Sequence, residues 1–179
     1  LGLVPELQAD RVRLDPISGE SRGVEISLAG SPGRWNWWTS YTWSKATDRI
    51  DGVNEARSWD QRHAFQGGFG WTDESWSFAA AASVHSGWPS TRLSLISDEA
   101  VPGPRNADRH GTFASLDLRL SRRFNVRKGT LLAFVELSNA TNRRNVCCLD
   151  WDITDEDELE FSEDYWMPLL PAIGILWEF

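Results

Sequence analysis

Eleven residues about two-thirds of the way along the chain, 114 to 124, constrain its fold most. Ala114, Leu116, Leu118, Leu120 and Phe124 alternate with Ser115, Asp117, Arg119 and Ser121. An apolar-polar period of two marks a strand whose faces meet different surroundings. The same period recurs along the chain. Val24, Ile26 and Leu28 alternate with Glu25 and Ser27, and Trp35, Trp37, Tyr41 and Trp43 oppose Asn36, Ser40, Thr42 and Ser44. His63, Phe65, Phe69 and Trp71 share a face, followed by Trp76, Phe78, Ala80, Ala82 and Val84. Leu131, Ala133, Val135 and Leu137 form another, and a last strand starting near Leu169 carries Ile173, Ile175, Trp177 and Phe179 on one side. A weaker candidate from Gln8 to Leu14 brings the expected count to about eight strands. Nothing recurs at three and four residues, so helices are not expected.

Hairpin pairing constrains whether the apolar faces stay together. With Arg127 and Lys128 at the centre of their turn, Phe124 meets Leu131, Leu120 meets Val135, Leu118 meets Leu137, and Arg119 meets Glu136 on the polar side. With the turn centred on residues 72 to 75, Trp71 meets Trp76, Phe69 meets Phe78, Phe65 meets Ala82, and Arg62 falls opposite His85. A slip of one residue in either hairpin would send the apolar set to the other face, so their coincidence predicts one continuous antiparallel sheet.

Connections alternate in length. Those at 30 to 34, 72 to 75 and 125 to 129 are short; those at 45 to 61, 87 to 112 and 139 to 168 are long. Transmembrane barrels have tight turns on the periplasmic side and long loops outside the cell. No apolar run approaches the roughly 20 residues of a spanning helix, but a spanning strand needs only about 9 to 11. The 11 Trp, against 2 Tyr and 1 Met, suit the two lipid-water interfaces. A Trp-rich carbohydrate-binding domain would share that composition.

Several motifs, taken in order, carry a family resemblance. Arg22 Gly23 Val24 Glu25, Tyr41 Thr42 Trp43 Ser44, Trp59 Asp60 Gln61 Arg62 His63, His85 Ser86 Gly87 Trp88 Pro89 and Val135 to Asn142 together resemble the C-terminal part of a TonB-dependent outer-membrane receptor. The resemblance covers nearly the whole chain, which is then expected to be one all-β domain over 1–179, an antiparallel meander forming part of a transmembrane β-barrel wall. It implies a 22-stranded barrel in the bacterial outer membrane and energy-coupled uptake of a small nutrient such as an iron chelate, vitamin, metal or carbohydrate. The plug domain, through which TonB is reached, is missing from these residues. The closing Ile173, Ile175, Trp177 and Phe179 resemble the signal read by the barrel assembly machinery. A barrel remnant without transport, or an adhesin-like wall, is the alternative.

On this reading the odd-numbered aromatics Trp35, Trp37, Tyr41 and Trp43, with Leu116, Leu118, Val135 and Ile175, face lipid. Asp60, Arg62, His85, Asp117, Arg119 and Glu136 are the candidate lumen-facing residues. No catalytic, cofactor or metal set is expected. An outer-membrane hydrolase would need a nucleophile oriented by a base, and no spacing singles out such a pair. Glycine-rich phosphate loops and basic stripes are missing as well, so nucleic acid is not an expected partner. The vicinal Cys147 and Cys148 fit either a strained disulfide or two free thiols. Between 150 and 164 nine Asp and Glu occur without Lys or Arg, more than the whole net charge of −8. That block reads as a solvated loop, with calcium as the sharper idea.

Overall fold

A computed structural model describes residues 16–97, 99–154 and 158–179 of the chain. Among these residues there is no helix. The strands are β1 (Ser18–Gly30), β2 (Trp35–Ile50), β3 (Val53–Ala56), β4 (His63–Thr72), β5 (Trp76–His85), β6 (Pro89–Ser90), β7 (Leu93–Ile96), β8 (Glu99–Pro102), β9 (Asp108–Arg109), β10 (Phe113–Val126), β11 (Gly129–Ser138), β12 (Val146–Ile153), β13 (Leu159–Tyr165) and β14 (Leu170–Glu178). The main sheet runs β1-β2-β4-β5-β10-β11-β14, with β3 added beside the end of β2. Every pairing is antiparallel.

Register carries one face across the whole sheet. Val24, Trp43, His63 and, one row along, Tyr41, Phe65, Val84 and Ala114 succeed one another from strand to strand. Lower on the same side come Phe69, Ala80, Leu118, Leu137, and then Leu120, Val135 and Ile173. No described residue covers this face: among these residues no hydrophobic side chain is buried, and Ile173 is 82% exposed. A soluble monomer rarely leaves more than a few hundred Å² of contiguous apolar surface bare.

Aromatic rings gather at both margins of the face. Toward the tight turns, Trp35 lies 5.2 Å from Phe69 and 6.1 Å from Trp71, and Phe69 lies 6.4 Å from Phe78. Arg122 occupies the same margin, its guanidinium 5.0 Å from the Trp76 ring and 4.8 Å from Phe124. A long side chain can hold its charge at a boundary in this way while its stem stays on apolar surface. Toward the long connections, Tyr41 hydroxyl meets His63 Nδ1 at 2.7 Å beside Trp43.

The opposite face is mixed, and small residues admit aromatic rings onto it. Phe134 packs against Gly174, and Trp38 against Gly68, so closely that a Cβ at either glycine would collide with ring atoms. Replacing Gly174 by Leu is expected to expel Phe134 and cost about 1–3 kcal/mol, the usual range for an overpacked site. Thermal unfolding in detergent checks this, with Ala172→Leu on the same strand face as the tolerated comparison.

Several expectations need correction. The β10–β11 register is the expected one, with Arg119 opposite Glu136. In β4–β5, however, His85 pairs with Ala64 rather than Arg62, and Trp71 with Phe78. The turn is built on Glu74 and Ser75, and a shift of two residues preserves facing, so the face test could not detect it. The long connections are not plain loops. Residues 45 to 61 contain the end of β2 and all of β3, 87 to 112 contain β6 to β9, and 139 to 168 contain the β12–β13 hairpin. Trp151 and Phe161 pair across that hairpin at 5.4 Å, an alternation hidden in the sequence by the acidic residues around them. The weak Gln8 to Leu14 strand lies outside the described residues.

Candidate functional site

Two groups of polar residues stand out, one on the mixed face of the sheet and one at the end bearing the long connections. The first surrounds an open hollow of about 560 Å³ lined by Asn36, Trp38, Ser77, Asp117, Arg119 and Glu136, among others. Its floor is made by Gly68, Gly70, Ala79 and Ala81, which leave room above the strands. Arg119 forms an ion pair with Glu136 and lies 4.1 Å from the centre of the Phe134 ring. Ser77 and Ser121 hydroxyls meet at 2.7 Å. Asp117 is committed locally, accepting from the Asn139 amide at 2.8 Å and from Ser115 at 3.1 Å. This hollow offers hydrogen-bond donors and acceptors to a small polar molecule.

The second group centres on Asp60, only 1% exposed. One carboxylate oxygen accepts the Ala46 amide at 2.6 Å, and the other takes Arg62 at 3.2 Å and a close contact from Arg109. Arg109 also donates to the Asp60 carbonyl at 2.7 Å and the Gly87 carbonyl at 3.0 Å. Burial pushes the Asp60 carboxyl up, but the Ala46 amide, Arg109 and Arg62 outweigh it and hold it below the ordinary value of 3.8. The carboxylate therefore fastens β2, the β3–β4 connection and β9 together.

Aromatic rings continue this rim. His85 stacks on Phe113 at 4.7 Å and lies 5.4 Å from Trp88, whose ring meets Trp59 edge-on at 5.7 Å and Trp166 at 6.2 Å. Asn145 pairs its amide with both backbone groups of Ala114 at 2.9 Å, standing in for a neighbouring strand. Asn139, at a left-handed φ of 47°, donates to the carbonyls of Arg143 and Met167. These contacts hold the β11–β12 and β13–β14 connections against the sheet.

The six expected lumen candidates are thus divided. Asp117, Arg119 and Glu136 share the hollow, whereas Asp60 and His85 belong to the rim. Arg62 precedes β4 and lines a separate hollow with Glu20, Arg22 and Lys45. Arg109 and Asn145 carry no expectation from sequence, and Trp88 and Asn139 enter it only within the motifs of the family resemblance. Asn139 carried a usable signal, because Asn tolerates left-handed backbone better than most residues. Arg109 carried none, lying 49 residues from its carboxylate.

Nucleophile and base are not assembled by the two histidines with described ring contacts. His63 engages Tyr41, and His85 Nδ1 contacts the Ser86 carbonyl at 2.9 Å. Among the described residues no three His, Cys, Asp or Glu side chains converge as a metal site, and Asp155, Glu156 and Asp157 lie outside them. Cys147 and Cys148 are both free thiols. Burial, then hydrogen bonding and charge from Cys148 and the nearby Asp164, push the Cys147 thiol up to about 11. Roughly one molecule in a thousand then carries the reactive thiolate at pH 8. Iodoacetamide should label Cys147 very slowly at pH 8 and much faster as pH approaches 11, as mass spectrometry of the tryptic peptide would show.

No protein family, no curated protein and no solved structure matches the chain.

Proposed function

We propose that the chain is the C-terminal barrel segment of a TonB-dependent outer-membrane receptor that takes up a small nutrient. One observation carries the membrane part of this reading: an apolar face, uncovered by any described residue, runs unbroken across seven paired strands. Hydrocarbon is the surrounding that such a face requires, because strands already satisfy their backbone groups within the sheet. From Trp35 to Trp43 the face is bounded by aromatic residues at both ends, and nine residues match the length that a strand tilted by about 45° needs to cross. Tight turns at one end and elaborated connections at the other give the orientation, with the Asp60 rim on the outer side.

The receptor part rests on the ordered motifs from Arg22 to Asn142 and on the aromatic closing strand. On this reading the mixed face, with the hollow around Arg119 and Glu136, borders the lumen, and substrate passes over it. Among the described residues β1 and β14 are the sheet's edges, and in a barrel each would pair with a further strand.

Two experiments test the proposal at its two levels. Reconstituted with phosphatidylcholine vesicles, the chain should float with the lipid and resist extraction by alkaline carbonate; recovery in the aqueous fraction would remove the membrane reading. The genomic reading frame upstream should encode, in frame, a plug domain and a TonB-interacting segment. A stop codon there would instead make the chain a barrel remnant without transport.

A further inference from the structure

We infer that Arg22, Lys45 and Arg62 form a site for the phosphate of an outer-leaflet lipid headgroup. The inference rests on the membrane reading above and adds a ligand class to it. Along β1 and β2 the pair Val24 and Trp43 is followed, two residues further from the tight turns, by Arg22 and Lys45. A step of two keeps side chains on the same side of a sheet, so these cations stand on the apolar side, one row beyond its outer aromatic margin. Arg62, just before β4, joins them around a hollow of about 280 Å³ whose other lining residues are Glu20, Thr47, Asn54 and Ala56.

The charges in this hollow are poorly satisfied within the chain. Lys45 is half-buried and meets no carboxylate among the described residues. Arg62 gives one terminal nitrogen to Asp60, while its buried Nε has no acceptor. Such an orphaned donor is costly unless something supplies an oxygen. Glu20 is the one anion in the lining; it contacts Arg22 at 3.6 Å, and both side chains are about two-thirds exposed, so the pair is weak. The three cations meet two carboxylates, Glu20 in the lining and Asp60, which Arg62 shares with Arg109, so the hollow stays positive. A phosphate monoester brings two negative charges and three acceptor oxygens, suited to guanidinium forks and an ammonium together. Trp43 and Tyr41, directly below, would flank the acyl chains of the same molecule, which favours a lipid over free phosphate.

The chain contains two lysines, Lys45 and Lys128, and this makes the test internally controlled. Lys128 sits in the tight turn between β10 and β11, at the opposite end of the sheet, where it reports the general effect of a charged surface. The full chain is reconstituted into vesicles of phosphatidylcholine, with or without phosphatidic acid, and lysine acylation is followed by mass spectrometry. Phosphatidic acid should slow modification of Lys45 about tenfold relative to Lys128, equivalent to about 1.4 kcal/mol of protection. Arg22→Gln should remove most of that protection while the chain still floats with the vesicles. Equal slowing of both lysines would overturn the site, as would full protection in the Arg22→Gln variant. Equal protection of Lys45 by inorganic phosphate in plain phosphatidylcholine vesicles would overturn the lipid as its source. A chain that floats with neither vesicle would defeat the membrane reading itself, and this inference with it.

Discussion

Leu118→Arg should nearly abolish assembly into the membrane, while Phe124→Arg on the same strand and the same face should be tolerated. Leu118 lies mid-strand between Ala80 and Leu137, whereas Phe124 lies at the tight-turn margin opposite Leu131. A basic residue on the lipid side costs about 2–4 kcal/mol at the bilayer midplane and about 0–1 near the interfaces. The margin already holds Arg122 against Trp76, which shows how a cation is accommodated there. Gln66→Arg, on the mixed face, should also assemble. Heat-modifiable migration of the folded protein on gels, measured for all three variants, reports the outcome. A water-soluble sandwich would respond to burial rather than depth, so equal losses for Leu118→Arg and Phe124→Arg would argue for a protein interior.

Asp60→Ala should be the most damaging change at the loop end. It strands the Ala46 amide and removes the shared acceptor of Arg62 and Arg109. Breaking a buried ion pair from one side costs about 3–5 kcal/mol, but both arginines are about one-third exposed and recover water, so about 2–3 is expected. The loss should be local. Amide exchange at Ala46 and the fluorescence of the Trp59, Trp88 and Trp166 cluster should change, while the β10–β11 hairpin stays protected. Acid should act on the same group. Because the folded carboxyl titrates below its ordinary 3.8, its contribution is complete above that value and disappears as pH falls through the lower, folded one. The rim should therefore hold from neutral pH to about pH 4 and loosen only below it. Loosening between pH 7 and 5 would point to another group.

How far the fold was legible depended on what had to be read. Period-two alternation located the seven strands of the main sheet path, since each must separate two unlike surroundings and the chemistry of each side is written in every second residue. Register was legible where the turn chemistry was tight, as at Arg127 and Lys128. It was misread by two residues at Glu74 and Ser75, because coincidence of faces detects odd slips and is blind to even ones. The β12–β13 hairpin was hidden because the acidic residues around its Trp151–Phe161 pair mask the alternation and read as an unstructured block. Of the candidate site, Arg119 and Glu136 were legible as a cross-strand pair within one hairpin. The Asp60 rim was not, since Arg109 comes from a distant Pro- and Gly-rich connection whose path no local pattern encodes. Arg62 was assigned by strand parity, but it lies before the first pair of β4, where parity no longer applies.

Oxygen and aqueous nickel accessibility of single spin labels walked along β10 gives the most direct test of what wets the apolar face. With the chain in lipid vesicles, labels at 116, 118 and 120 should collide freely with oxygen and hardly at all with the nickel complex, and labels at 115, 117 and 119 should differ from them with a period of two. If labels at 116, 118 and 120 meet neither reagent, those side chains are packed against protein and the lipid-facing account is wrong.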